Sequence, residues 1–278
     1  MPDIDQQACA IMSGWSTTQR CRATDVDPLE QLIVVGAGLG AGIVSSSIGV
    51  ASLISFPVLV AVGLPPVVAN ASNTVGLIPA GLSGSFGYRR ELAEHPAVTR
   101  AVLATSAIGA VAGAFLLIRL PPGVFEAVVP WLILFACLLV GFQPLISRWA
   151  RSRPSFDPDA DRTLFSRRVT AASTVVGVYG GYFGAGQGVM LVAVLALGLD
   201  LELRVVNALK TTAIMAANIV AGVIFVAIAD LDWLAIGLLA VGSMVGGYLG
   251  SHVGRRLPPT VFRVLVVVAG VTAAVVML

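Results

Sequence analysis

The chain has 278 residues, of which 57% are hydrophobic and only 12% charged, and its mean hydropathy is +0.92. Soluble domains carry about 25% charged residues, so we expect lipid to surround most of this protein. The net charge of +2 is too small to predict a nucleic-acid partner. The three cysteines form no CxxC or Cys/His cluster, so neither a metal site nor another cofactor is expected.

Residues 1–30 are polar and are predicted to form an extracytoplasmic extension. Apolar stretches follow in two series, separated by an arginine-rich loop at 147–167. The first series covers 31–50, 51–63, 65–88, 97–119 and 123–146, and the second covers 168–188, 189–199, 202–228, 232–254 and 258–278. A spanning helix needs about 20 residues, so 51–63 and 189–199 are too short to cross unaided. Each follows a glycine-rich helix, so each pair is expected to form a broken or re-entrant helical hairpin.

The two series are related by one constant shift, without a gap, which places Asn70 on Asn207 and is called the repeat shift. Asn70–Thr74 aligns with Asn207–Thr211, and Leu120–Pro122 aligns with Leu257–Pro259. Two related hydrophobic halves are typical of secondary transporters. We therefore predict an all-α integral membrane protein with two transmembrane repeats, at 31–146 and 168–278, each of about five helical segments.

Arginine predicts the orientation of these repeats. The loop between them holds six arginines within 147–168, and such clusters lie on the cytoplasmic side. Counting segments outward from this loop places the start of the helix with Asn70 outside and the start of the helix with Asn207 inside. The repeats are therefore predicted to have inverted topology, with both termini outside.

Lys210 is the only lysine in the chain and stands in an apolar helix. A charge at that depth costs several kcal/mol unless it is paired or hydrated. The ammonium could extend to the cytoplasmic interface, or it could face a central cavity and hold an anionic substrate. We favour the second interpretation because Lys210 aligns with Asn73 of the other repeat.

Amide and hydroxyl side chains near the repeated motif could hydrogen-bond the oxygens of such an anion. Asn70 and Asn207 are candidates, although both could instead cap helix starts. Asn73 and Thr74 lie deeper in the same helix and are stronger candidates. Thr211 is a further candidate, with the alternative that it only bonds back to the preceding turn.

The glycine-rich segments complete the predicted site. If the short helices start near 45–49 and 184–188, their free N–H groups would form an anion site. The alternative is that the small residues only permit close helix crossing. The candidates in these segments are Ser46, Ser47, Gly49, Gly186 and Gln187. Neither segment contains Asp or Glu, so coupling through a membrane carboxylate is not predicted.

The order and duplicated spacing of these motifs resemble the sulfite exporter TauE/SafE family, also called the toluene sulfonate uptake permease family. The resemblance is carried by the glycine-rich opening, Phe56–Leu59, Asn70–Thr74 and Asn207–Thr211, and it covers about residues 30–278. It implies a carrier, in many members an exporter, of sulfite or small organosulfonates such as sulfoacetate in the bacterial inner membrane. Gln187 departs from a more uniformly glycine-rich turn, which leaves the exact substrate open.

We therefore expect a non-enzymatic, multi-pass carrier that works by alternating access around a midplane anion site. Its partners would be a small anion and the lipid bilayer, and a homodimer is compatible with the sequence. An anion channel of the same fold and a carrier of small carboxylates remain as alternatives. A membrane enzyme or redox partner has less support, because no nucleophile–base pair or dithiol is visible.

Overall fold

The computed structural model describes residues 27–47, 49–152, 166–199, 201–253 and 259–277, and all regular elements in these ranges are α-helices. The predicted extension at 1–30, apart from its last four residues, lies outside the described residues. The helices are α1 (Pro28–Ser47), α2 (Ser52–Ala61), α3 (Pro66–Gly76), α4 (Ile78–Gly87), α5 (Arg89–Glu94), α6 (Pro96–Arg119), α7 (Pro122–Ser152), α8 (Arg167–Tyr182), α9 (Gln187–Gly198), α10 (Leu203–Ile228), α11 (Trp233–Val253) and α12 (Pro259–Met277).

Within the described ranges, five helices are long and apolar enough to cross a membrane: α1, α6, α7, α10 and α11. The apolar helices α2 and α9 have 10 and 12 residues. At about 1.5 Å per residue they extend roughly 15–18 Å, well short of the roughly 30 Å hydrocarbon core of a bilayer. The protein is therefore a multi-pass membrane protein, and the prediction that these two segments are too short to span is confirmed.

The helix boundaries follow the repeat shift. It carries the first residues of three helices in the first half onto those of three helices in the second: α3 onto α10, α6 onto α11 and α7 onto α12. By the same shift, α1 corresponds to α8 and α2 to α9. The arginine-rich loop predicted at 147–167 is shorter than expected, because α7 continues to Ser152.

The stretch predicted as one segment at 65–88 is two helices, α3 and α4, that meet at Leu77. Pro79 explains the break, because proline has no N–H and its ring clashes with the carbonyl four residues earlier. The Ser243 hydroxyl of α11 donates a hydrogen bond of 2.8 Å to the carbonyl oxygen of Gly76 at this break. The repeat shift places Pro79 on Ala216 of α10, and α10 continues through this position without a break.

The first helix of each half packs against the fourth segment of the other half, as α1 on α11 and α8 on α6. Glycine makes both crossings close. A Cβ atom on Gly42 would lie 2.4 Å from the carbonyl oxygen of Ser243, and one on Gly113 would lie 2.1 Å from that of Val178. Glycines inside these helices therefore permit close helix crossing.

The counterparts α3–α4 and α10 are neighbours that run in opposite directions. Gly81 lies against Met215, and one turn further along α4 Gly84 lies against Thr211, one turn earlier in α10. Because residue numbers at these contacts rise in α4 and fall in α10, the two helices are antiparallel. Val75, before the break, lies against Gly222 in the same order.

Candidate functional site

Glycines with left-handed backbone form the connections between α1 and α2 and between α8 and α9. Gly49 has φ +82° in the first connection, and Gly184 and Gly186 have φ +78° and +82° in the second. Other residues rarely adopt this conformation. Gly49 and Gly186 are aligned by the repeat shift, so the two halves break their backbone at the same position. These connections are named the first break (residues 49–51) and the second break (residues 183–186).

The first break meets the helix that follows the second break. A Cβ atom on Gly188, in the first turn of α9, would lie 2.8 Å from the carbonyl oxygen of Gly49. It would also lie 3.0 Å from the Cδ1 atom of Ile214 on α10. The first turn of α9 therefore borders the first break. Ile214 of α10 lies beside Gly49 and Gly188 alike.

Lys210 lies at this junction. Its Cδ and Cε atoms lie 3.2 and 3.3 Å from the position of a Cβ atom on Gly49. The side chain is 1% exposed, so it does not extend to the protein surface as the interfacial interpretation required. Its Nζ atom donates to Oδ1 of Asn207 at 3.3 Å, and in the described part of the chain it forms no ion pair. An ammonium has three donors, so this buried charge is incompletely compensated.

Asn70 and Asn207 do not cap helices, which corrects the capping alternative. Because α3 begins at Pro66 and α10 at Leu203, both asparagines lie in the second turn. Asn207 accepts the hydrogen bond from Lys210. Asn70 is 1% exposed, and its Nδ2 atom donates to the carbonyl oxygen of Tyr182 at 2.9 Å.

Asn73, the aligned counterpart of Lys210, bonds to α2 through both its amide oxygen and its amide nitrogen. The Ser55 hydroxyl donates to its Oδ1 atom, and its Nδ2 atom donates to the Ser52 hydroxyl at 3.1 Å. At the positions aligned with these serines α9 carries valines. The two aligned side chains therefore lie in unlike surroundings, and sequence analysis did not identify the two serines.

Thr74 and Thr211 both bond back to their own helix. Their hydroxyls donate to the carbonyl oxygens of Asn70 and Asn207, each at 2.9 Å. The Thr211 methyl group lies against Gly84 of α4, on a different side of α10 from the Lys210 side chain that contacts Gly49. The Thr211 hydroxyl therefore bonds back to the preceding turn of its own helix, which was the alternative interpretation for this residue.

Gln187 is the first residue of α9 and is 1% exposed. Neither its Oε1 nor its Nε2 atom has a hydrogen-bond partner among the described residues. The amide lies over α8, where a Cβ atom on Gly180 would be 2.4 Å from it. A buried amide without partners is costly, which makes Gln187 the strongest candidate after Lys210 for contact with a bound group.

Ser46 and Ser47 lie in the last turn of α1, not at the start of the next helix. They were predicted near the free N–H groups of a short helix, but α2 begins only at Ser52. Their side chains lie outside the described part of the structure. The prediction placed the start of the short helix too early, because it treated the serine run as part of the break. The serines instead continue α1 as far as Ser47.

An aromatic cluster that sequence analysis did not single out supports the second break. The Tyr179 hydroxyl donates to the carbonyl oxygen of Ala185 at 2.5 Å. The Phe183 ring packs edge-on against Phe56 at 5.4 Å and Phe125 at 6.2 Å between ring centroids. The signal that could have found it is three aromatic residues within five positions beside glycines.

The chain is similar to known membrane transporters over most of its length. The family model described as Sulfite exporter TauE/SafE matches residues 34–277. A "Probable membrane transporter protein" of Haemophilus influenzae is 26% identical over 239 residues, 85% of this chain and 89% of that protein. The "Probable membrane transporter protein ORF9" of Sinorhizobium sp is 26% identical over 241 residues, 84% and 87% of the two chains.

The "Probable membrane transporter protein YfcA" of Escherichia coli is 25% identical over 235 residues, 84% of this chain and 82% of that protein. No solved structure matches the chain. The family model extends over most of the sequence, including both breaks and Lys210. The chain therefore belongs to the sulfite exporter TauE/SafE family.

Proposed function

We propose that the protein is a secondary transporter of the bacterial inner membrane that moves sulfite or a small organosulfonate such as sulfoacetate, in the direction of export. The observation that carries the proposal is the enclosed ammonium of Lys210 at the junction of the two breaks. The transporter names of the relatives from three bacteria agree with it.

The proposal includes two inverted repeats, at 31–146 and 168–278. Three features support it: the repeat shift between helix starts, the opposite directions of α3–α4 and α10, and the reciprocal packing of α1 on α11 and of α8 on α6. Repeats of this kind carry binding sites at their interface, where broken helices from both halves meet.

The bound anion would supply the charge that Lys210 lacks. A buried charge without a partner costs several kcal/mol, and a sulfonate or sulfite group brings negative charge and several acceptor oxygens. Lys210 would contact the charge, while Asn207, Gln187 and the N-terminal turn of α9 would hydrogen-bond the oxygens. The break glycines Gly49 and Gly186 would allow close approach of the backbone.

The other predicted residues have a supporting role in this proposal. Asn73, Thr74 and Thr211 direct their donors to other groups of the protein. We assign them to positioning α3 and α10 beside the anion.

Alternating access would proceed from the closed arrangement of this structure. Lys210 and Gln187 are each 1% exposed, so an anion beside them has no contact with either aqueous face. Opening toward one face would require α10 to separate from the first break or from α4. The anion would favour the closed arrangement because it compensates the Lys210 ammonium.

Counterflow in proteoliposomes tests the proposal. Vesicles loaded with unlabelled sulfite should transiently accumulate external ³⁵S-sulfite above its equilibrium level, because a carrier exchanges one bound anion for another. Equilibration without this overshoot would indicate a channel and contradict alternating access. An overshoot driven by internal acetate but not by sulfite or sulfoacetate would contradict the substrate class while leaving the carrier mechanism in place.

A further inference from the structure

Two buried amide side chains converge on the last turn of α8. Asn70, from α3, donates to the carbonyl oxygen of Tyr182, and the amide of Gln187, from α9, lies over Gly180 two residues earlier. The two halves of the protein thus each direct one amide to the same helix end.

These amides present oxygen atoms that have no partner. The carbonyl of Tyr182 can only accept, so Asn70 must turn its nitrogen toward it, and its Oδ1 atom is left without a hydrogen bond among the described residues. Oε1 of Gln187 has none either. Both residues are 1% exposed, so bulk water does not solvate these oxygens, and leaving them unpaired is unfavourable.

The helix end adds further negative potential. The last carbonyls of a helix have no partner within it and carry a partial negative charge. At the end of α8, the amides of Phe183 and Gly184 both donate to the carbonyl of Tyr179. The carbonyls of Gly180 and Gly181 lie in this last turn of α8, between Tyr179 and the carbonyl of Tyr182 that Asn70 contacts.

The equivalent end of α1 lies beside the side chain of Lys210. The amide of Gly49 donates to the carbonyl of Val44 at the end of this helix, and the stem of Lys210 lies across Gly49. A positive charge near a helix carboxyl end is favourable. The end of α8 has no such side chain among the described residues, because the residue aligned with Lys210 is Asn73, which bonds to α2.

We propose that the end of α8 binds a monovalent cation, Na⁺, which is the coupling ion of transport. The ligands are Oδ1 of Asn70, Oε1 of Gln187 and the last carbonyls of α8. These donors are neutral oxygens, and carbonyl ends of broken helices suit a monovalent ion. Calcium sites, by contrast, are built largely from carboxylates.

Gln187 links this ion to the anion, so the inference rests on the proposed function. Its oxygen faces the cation, and its nitrogen is then free to donate to an oxyanion beside Gly188 and Lys210. Bound Na⁺ fixes this orientation and raises the affinity for the anion, and the anion must raise the affinity for Na⁺ by the same factor.

The test measures thermal unfolding of the full-length purified protein, and sulfite binding to it, in NaCl or choline chloride of equal ionic strength. Na⁺ should raise the Tm and tighten sulfite binding by at least about fivefold, the lower range of typical couplings. Gln187→Leu should abolish both effects. Gln187→Glu should strengthen the stabilisation by Na⁺ and weaken sulfite binding, because the added carboxylate attracts the cation and repels the anion.

Ser173→Ala is the matched control, because Ser173 is a buried polar residue of the same helix, nine positions before Tyr182, and its hydroxyl has no partner in the described part of the chain. It should keep both Na⁺ effects. Sulfite binding that is the same in both salts would overturn the cation site and leave the proposed function intact. Na⁺ stabilisation without any binding of sulfite would support the cation site and count against the proposed function. Equal stabilisation by Na⁺ in the wild type and in Gln187→Leu would also overturn the cation site.

Discussion

The two breaks share a left-handed glycine at one aligned position and differ in their chemistry. Gly49 and Gly186 occupy aligned positions with the same φ of +82°. The first break is covered by the stem of Lys210, whereas the second is bordered by the amides of Asn70 and Gln187. The repeat has therefore preserved the conformation that brings two helix ends together. Its side chains have diverged, so that one break carries a fixed charge and the other carries neutral polar groups.

This difference in fixed charge between the breaks indicates where a negatively charged substrate can bind. Two lysines at aligned positions would repel each other at the junction, while two asparagines would leave an anion without a counter-charge. One lysine opposite one engaged asparagine gives a single positive centre between two structurally similar halves. Substitution of Lys210 removes this asymmetry of charge, and substitution of the crossing glycines tests the structural symmetry of the two halves.

Replacing Lys210 should have the largest effect. Loss of one partner of a buried charge interaction costs about 3–5 kcal/mol, so Lys210→Met should lower sulfite counterflow at least 100-fold. The Tm of this variant without substrate should not fall, because the substitution removes an incompletely compensated charge. Lys210→Arg, which keeps the charge in a bulkier group, should retain measurable counterflow. Counterflow within threefold of wild type in Lys210→Met would refute the assigned role.

The helix crossings should respond alike in both halves. Gly42→Ala and Gly113→Ala place a Cβ atom 2.4 and 2.1 Å from a backbone carbonyl oxygen. Overpacking of this kind typically costs about 1–3 kcal/mol, so each variant should lower the Tm by a similar amount. Gly141→Ala is the control, because a Cβ atom there meets nothing within 4 Å. A fall in only one half would show that the two crossings are not equivalent.

Gly49→Ala should separate backbone strain from the contact with Lys210. Gly63 has φ +96°, close to the +82° of Gly49, but a Cβ atom on Gly63 meets nothing within 4 Å. Both alanine variants should therefore lose a similar amount of stability to strain, about 1–2 kcal/mol. Only Gly49→Ala should also displace the lysine stem and weaken sulfite binding, by about tenfold for a cost near 1.4 kcal/mol. Equal binding by the two variants would argue against a substrate role for the Lys210–Gly49 contact.

The smallest effect is expected at the exposed ion pairs of Arg204, one of which joins the two halves. Arg204 at the start of α10 contacts Glu94 at 3.2 Å and Glu202 at 2.6 Å, and all three side chains are exposed. Exposed pairs contribute little because water and salt screen them. Glu94→Gln should leave the Tm and the counterflow rate within experimental error. A large change in rate with an unchanged Tm would instead identify this contact as part of a gate.

Much of the fold could be predicted from hydropathy and the internal repeat. Segment lengths identified the short helices α2 and α9, and the repeat shift also relates the observed helix starts. The break at Leu77 was missed because the segment was treated as a continuous apolar stretch, although Pro79 is a local signal for it. The segment predicted at 65–88 begins one residue before Pro66, the first residue of α3, and proline is well suited to the first turn of a helix.

The site was predicted less completely, because its bonds depend on tertiary structure. The single lysine in an apolar helix was sufficient to select Lys210. No sequence pattern indicated that Asn73 would bond to Ser52 and Ser55, or that Gln187 would lie over Gly180. These contacts join segments that are distant in sequence or separated by a break, and their geometry follows from how α2, α3, α8 and α9 pack.

Chemical labelling of Lys210 tests the central claim most directly, since the chain has no other lysine. Proteoliposomes would be treated with an amine-reactive acylating reagent, and modification of Lys210 would be followed by mass spectrometry with and without sulfoacetate. A buried, anion-contacting ammonium should react far more slowly than an exposed amine, and saturating sulfoacetate should slow it further. Rapid modification that the anion does not change would place the ammonium at the membrane surface and contradict the account.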